Sequence, residues 1–185
     1  IAYQMVMDAM EGFANKDGAK VEFVYEQENV VDELADQITT YLAKLAQTEM
    51  SSPLSKKHTG LLHSVTDIER IGDHAENIAE MAMVRIRENL PFSEQALEEL
   101  ARFNYLVEKT FKQAINSLQH DSHEEARKTQ SLERQIDVLE KELRSSHISR
   151  LNTGKCFPGS GVVFLDIISN LERIADHATN ISKTV

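Results

Sequence analysis

Apolar side chains recur at spacings of three and four along almost the whole chain, the period that lines them up on one stripe of an α-helix. Punctuation divides the pattern into six helices. The first spans about residues 1–14 and ends at Asn15-Lys16-Asp17-Gly18. The second spans about residues 21–48 on a stripe of Val31, Leu34, Ile38, Leu42 and Leu45. Ser51-Ser52-Pro53 supplies a cap with proline just inside the third helix, which runs to about residue 89 and is broken by Leu90-Pro91-Phe92. Ser93 caps the fourth, about residues 94–119, and His120-Asp121-Ser122 turns into the fifth, about residues 124–151. Residues 152–161 read as the one Gly/Pro-rich loop, and the sixth helix fills the remainder.

The order of three helices is written twice. Residues 68–78 read IERIGDHAENI and residues 171–181 read LERIADHATNI, with eight of eleven positions identical at an offset of 103. Helices 2 and 5 match at an offset of 105, Glu28 to Asp32 over Glu133 to Asp137, and helices 1 and 4 match more weakly through Ala9-Met10 and Ala114-Ile115. An internal duplication follows. The predicted fold is all-α: two tandem bundles of three antiparallel helices, residues 1–90 and residues 91–185. On this register helix 1 lacks about a dozen residues that helix 4 has, and the sequence opens mid-helix at Ile1, so a piece of a longer polypeptide is expected.

Composition narrows the partners. Thirty Asp and Glu against twenty Lys and Arg leave a net charge of −10. Such a surface repels phosphate backbones, and no basic stripe with interleaved aromatics offsets it, so nucleic acid is not an expected partner. No run approaches the roughly 18 apolar residues that a membrane span needs, so this stretch does not insert into a bilayer. A single cysteine, Cys156, forms no internal disulfide, and a reducing cytoplasm is the expected setting.

Candidate chemistry lies in four Glu-x-x-x-Asp pairs: Glu28/Asp32 and Glu69/Asp73 in the first repeat, Glu133/Asp137 and Glu172/Asp176 in the second. Residues four apart share a helix face, where like charges mildly repel. At about 100° per residue each pair sits on the same flank of its apolar stripe. An antiparallel packing of helices 2 and 3 then brings four carboxylates together in each repeat. Hard oxygen donors suit iron, manganese, magnesium or calcium better than zinc. A ferritin-like di-iron site is excluded, because none of the seven histidines follows an acidic residue by three. The residues alone leave a second reading open, a solvated acidic face that binds nothing.

The remaining candidates are weaker. His74 and His177 follow the aspartates and are expected to point towards solvent. Arg70 and Arg173 are expected to pair with nearby carboxylates. Asn77 and Asn180 are outer ligands or plain surface. Gly154-Lys155-Cys156 lacks the rest of a phosphate-binding loop, and Cys156 has no evident activating base. Met5, Met7 and Met10 read as core or interface. No His or Lys is placed as a general base beside the carboxylates, so an enzyme is not expected.

With these motifs in view, the chain resembles the PhoU family over nearly its whole length, through DIERIGDHAENI (67–78) and NLERIADHATNI (170–181). That resemblance implies two three-helix bundles whose acidic motifs bind multinuclear iron or other metals. By position these are Glu28, Asp32, Glu69, Asp73, Glu133, Asp137, Glu172 and Asp176. It also implies a non-enzymatic regulator that restrains phosphate uptake, docks on a phosphate transporter and self-associates as a homodimer. HISRL (147–151), GKC (154–156) and FLDIISNLE (164–172) are similar to the cytoplasmic PhoU-like domain of bacterial sodium/phosphate cotransporters, which would tether it to the inner face of the plasma membrane. A free-standing PhoU repressor and a metal-free helical interaction module are the alternatives.

Overall fold

A computed structural model describes residues 1–185, and it contains six helices and no strand: α1 (Ala2–Asn15), α2 (Gly18–Leu45), α3 (Ser52–Arg87), α4 (Glu94–His120), α5 (His123–Asn152) and α6 (Pro158–Ser182). Each start has a local cause. The Asp17 carboxylate accepts from the amides of Ala19 and Lys20, Ser93 Oγ from Ala96 and Ser122 Oγ from Glu125, satisfying donors that a helix leaves free. Ser51 occupies the expected cap position of α3 without a side-chain bond, and Pro53 sits in the first turn. The sixth helix starts inside the stretch expected to be a loop. Pro158 is tolerated in a first turn, and Gly161 packs so closely on α5 that a Cβ there would lie 2.8 Å from His147 Nε2.

Helices α1–α3 pack on one another, as do α4–α6, and the two sets meet chiefly along α3 and α6, with a lighter contact between α1 and α4. The duplicated positions Ile71, Ala75 and Ile78 on α3 and Ile174, Ala178 and Ile181 on α6 are all fully buried. One hydrophobic core therefore runs through both repeats.

The repeats differ where α1 is short. On α5, Leu139 and Leu143 are 3% and 5% exposed, whereas their counterparts on α2, Leu34 and Ile38, are 41% and 43% exposed. The stripe expected to be core along α2 is thus only partly covered. Fourteen-residue α1 does not reach the level that 27-residue α4 covers, and Leu34 and Ile38 line an open apolar groove with Ile1, Val65 and Ile68.

Arg85 ties the end of α1 to the bundle. Its buried guanidinium donates to the carbonyls of Phe13 and Ala14 and lies 4.7 Å and 4.9 Å from the ring centroids of Phe13 and Phe92. A cation at a helix C-terminus opposes the macrodipole, and burial lowers its pKa without neutralising it. Arg85→Ala removes charged hydrogen bonds and ring contacts together. A loss of about 3 kcal/mol is expected, read as a lower urea midpoint.

Candidate metal centre

Antiparallel α2 and α3 bring together Glu28, Asp32 and Asp73, each offering one carboxylate oxygen within 4.8 Å of the others. Glu28 and Asp32 lie a turn apart on α2, and Gly72 lets the helices close, since a Cβ there would stand 3.3 Å from Val31 Cγ1. No Lys, Arg or His comes within 4.0 Å of these three carboxylates, while ion pairs form readily elsewhere on the molecule. The crowding shows in the proton affinities. Partial burial, then Asp32, then Glu76 and Asp73 push the Glu28 carboxyl up to about 7. Glu76 is raised by burial and by Glu80, Asp73 and Asp32, so it belongs to the same group.

Of the four acidic residues expected to meet in repeat 1, three do. Glu69 is half-buried one turn further along α3, outside the group. Glu76, beyond the Glu-x-x-x-Asp spacing, feels the charges of Asp73 and Asp32, but its oxygens are not among the three that converge.

Repeat 2 is arranged differently. Glu133, Asp137, Glu172 and Asp176 do not bring three oxygens within the same 4.8 Å. Glu172 is raised by burial, then by Asp176, with Arg173 opposing and Glu140 and Asp137 adding to the rise. Glu140 carries a close ion pair with Arg144, whose Nη2 donates to Ser169 Oγ at 2.8 Å. Arg173 Nε lies 3.7 Å from Glu172, whereas Arg70 makes no ion pair.

The two histidines do not face solvent as expected. Because α3 packs on α6 as well as on α1 and α2, its covered flank is wider than one stripe. His74 Nδ1 lies 2.9 Å from Asn170 Oδ1, His177 Nδ1 lies 2.8 Å from Asp67 Oδ1, and the two rings stack 5.6 Å apart. Burial lowers the pKa of His74 despite its bond to Asn170. Asp67 and Asn170 are duplicated positions, so the bonds form a reciprocal clasp between the repeats. Asn77 and Asn180 are exposed.

Cys156 does have a base nearby. Its Sγ is 4.0 Å from Nδ1 of buried His147, whose pKa burial lowers, at the edge of a cavity of about 320 Å³ that Lys155, Arg150 and Phe164 also line. Nothing else in that cavity marks a ligand.

The oxygen-only donor set of repeat 1 fits a hard cation, and the carboxylate repulsion is what a cation relieves. A family model described as "PhoU domain" matches residues 1–82 and 100–185. The Thermotoga maritima protein named "Phosphate-specific transport system accessory protein PhoU homolog 1" is 26% identical over 96% of this chain and 76% of its own length. A Rhizobium meliloti PhoU homologue of the same description is 25% identical over the whole of this chain and 78% of its own length. Among solved structures, that of PhoU from Pseudomonas aeruginosa superposes with a TM-score of 0.92 at 20% identity, covering 99% of this chain and 87% of that one. A "phosphate transport system regulatory protein PhoU" from Streptococcus pneumoniae gives 0.88 at 23% identity, covering 99% and 85%.

Proposed function

The chain belongs to the PhoU family, and on that premise we propose that it is an accessory regulator of phosphate transport that binds a hard cation through the carboxylates of its first repeat. Members of this family are regulatory accessory proteins, not enzymes. The relatives are named as PhoU homologues of a phosphate-specific transport system, which favours a free-standing accessory protein over the cotransporter domain that three segments of sequence suggest. In this reading it works in the cytoplasm against subunits of a phosphate transporter, and self-association belongs to the same reading. No helix is long and apolar enough to cross a membrane, so contact with the transporter is made at its surface.

The observation that carries the metal part is the convergence of Glu28, Asp32 and Asp73 with no basic residue to neutralise them. Glu28, Asp32 and Asp73 would hold the ion, with Glu76 beside them, and iron, manganese and magnesium suit such oxygens better than zinc. A bound cation joins α2 to α3 and supplies positive charge where the chain has none; it is there for structure and regulation.

Two measurements test the proposal. Protein purified without chelator should carry metal, and a Glu28→Gln/Asp32→Asn/Asp73→Asn variant should carry close to none while keeping its helical spectrum. Equal metal content in the two ends the metal claim. In cells that make this protein beside a phosphate transporter, its deletion should raise phosphate uptake in phosphate-rich medium. Unchanged uptake would remove the regulatory claim.

A further inference from the structure

Helix α2 carries an apolar stripe that its counterpart in the second repeat lacks. Phe23, Val30, Leu34 and Tyr41 are 44%, 39%, 41% and 62% exposed. With Gln27 and Gln37 they recur at alternating spacings of four and three, the a/d seam of a coiled coil. From Phe23 to Tyr41 the seam is about 27 Å long, and at about 100° per residue it lies on the flank of α2 opposite to Glu28 and Asp32.

The second repeat shows that the bundle does not need this stripe. At the offset of 105, Phe23 corresponds to Lys128, Val30 to Gln135 and Tyr41 to Ser146. Lys128 and Gln135 are exposed on α5 and polar, as a solvated face requires. Only Leu34 keeps its character, as Leu139, which is buried. Single apolar residues on a surface are ordinary, whereas a line of them marks a contact.

The seam is also complementary to itself. Phe23 and Tyr41 lie equally far from Asp32 along the helix, as do Gln27 and Gln37, and Val30 and Leu34. Laid antiparallel on the α2 of a second copy, Phe23 meets Tyr41, Gln27 meets Gln37 and Val30 meets Leu34, each pair twice. Aromatic rings then pack at both ends and branched aliphatics at the centre. The paired amides fix the register, because a slip sets an amide against an apolar side chain. In this sense the two helix dipoles also oppose one another.

From these observations we propose that the chain pairs with a second copy of itself through the α2 seam, as an antiparallel, two-fold dimer. The inference gives a surface to the self-association in the proposed function, and it rests on that reading. A self-complementary contact closes on itself, so assembly stops at two. One helix pair is small beside a standard interface, so the dimer is reversible and depends on concentration. Exposed Glu26 and Glu33 border the seam on both copies and repel, so added salt strengthens it.

Sedimentation equilibrium of the full chain over rising concentration tests this. Wild type should pass from one to two times the chain mass. Phe23→Lys/Val30→Gln, which installs the residues of the second repeat, should stay at one with an unchanged helical spectrum. If that variant does not fold, disulfide trapping in a Cys156→Ser background decides the matter. Val30→Cys and Leu34→Cys proteins, mixed, should cross-link to one another and not each to itself. Wild type that keeps the chain mass at every concentration overturns the inference and leaves the seam to another protein. A folded Phe23→Lys/Val30→Gln protein that still doubles overturns it too, as does each cysteine variant cross-linking with itself. None of these results bears on metal content or phosphate uptake, by which the proposed function is judged.

Discussion

Phe164→Ala is expected to remove about 3–5 kcal/mol of folding stability, the range for truncating a fully buried phenylalanine. The ring is 1% exposed, stacks on His147 with centroids 4.9 Å apart, and carries the Arg150 guanidinium 5.5 Å above its face. Arg150 in turn holds Glu99 of α4 through two hydrogen bonds of 2.7 Å and 2.6 Å. Truncation thus opens a cavity and loosens the arginine that, with Ser146, ties α5 to Glu99 of α4. Phe164→Leu keeps most of the volume and should cost less than half as much. Urea unfolding of the three proteins decides it: equal midpoints for wild type and Phe164→Ala would mean that this end of the second repeat contributes little to the cooperative core.

The helices were legible because their boundaries carry chemistry of their own. Ser93 and Ser122 each bond an amide of the first turn and mark their helices in the sequence; Asp17 does the same for α2, which starts at Gly18 and not near residue 21 as its stripe suggested. The start of α6 was not legible. Pro158-Gly159-Ser160-Gly161 reads as a loop by composition, and its helical state comes from packing: Ser160 Oγ donates to Pro91 O at 2.6 Å, and Gly161 leaves room for His147. The exposure of Leu34 and Ile38 was hidden for a related reason, since periodicity tells which face is apolar and not whether a neighbour reaches it.

The site was legible as a face and illegible as a level. Spacing places Glu28, Asp32, Glu69 and Asp73 on matching flanks, and the flanks do meet. Which residues stand opposite one another depends on how far α2 has slid along α3, and no local pattern encodes that. The slide leaves Glu69 outside the cluster of Glu28, Asp32 and Asp73. The same ignorance of level concealed the clasp of His74 and His177, whose partners Asn170 and Asp67 lie about a hundred residues away in the chain. Asp67 and Asn170 stood inside the quoted duplication; their reciprocal bonding was the signal available, and it appears only once α3 and α6 are placed side by side.

Relative to a Glu28→Gln variant, metal-free wild-type protein should lose stability as pH rises from about 4.5 to about 7, and metal affinity should climb through the same interval. The folded Glu28 carboxyl keeps its proton up to about 7, whereas in the unfolded chain it releases it near the ordinary 4.5. Between those values the folded state holds more protons, so raising the pH favours unfolding. Above about 7 both states are ionised and the slope vanishes, with the carboxylate repulsion at its full value. The upward shifts of Glu76 and Glu172 act with the same sign, whereas the lowered pKa values of buried His74 and His147 act against it, which is why the comparison with Glu28→Gln is the one that isolates Glu28. A cation needs the ionised carboxylate, so its binding expels the Glu28 proton and affinity rises by about tenfold per pH unit until about 7. Glu28→Gln should flatten both profiles while lowering affinity at pH 8. Thermal melts and manganese titrations between pH 5 and pH 8 supply the numbers. A melting-temperature difference between metal-free wild type and Glu28→Gln that stays constant across this window would mean that Glu28 is ionised throughout. The crowding inferred for these carboxylates would then be relieved by water or by chain movement, and a cation would have little left to stabilise.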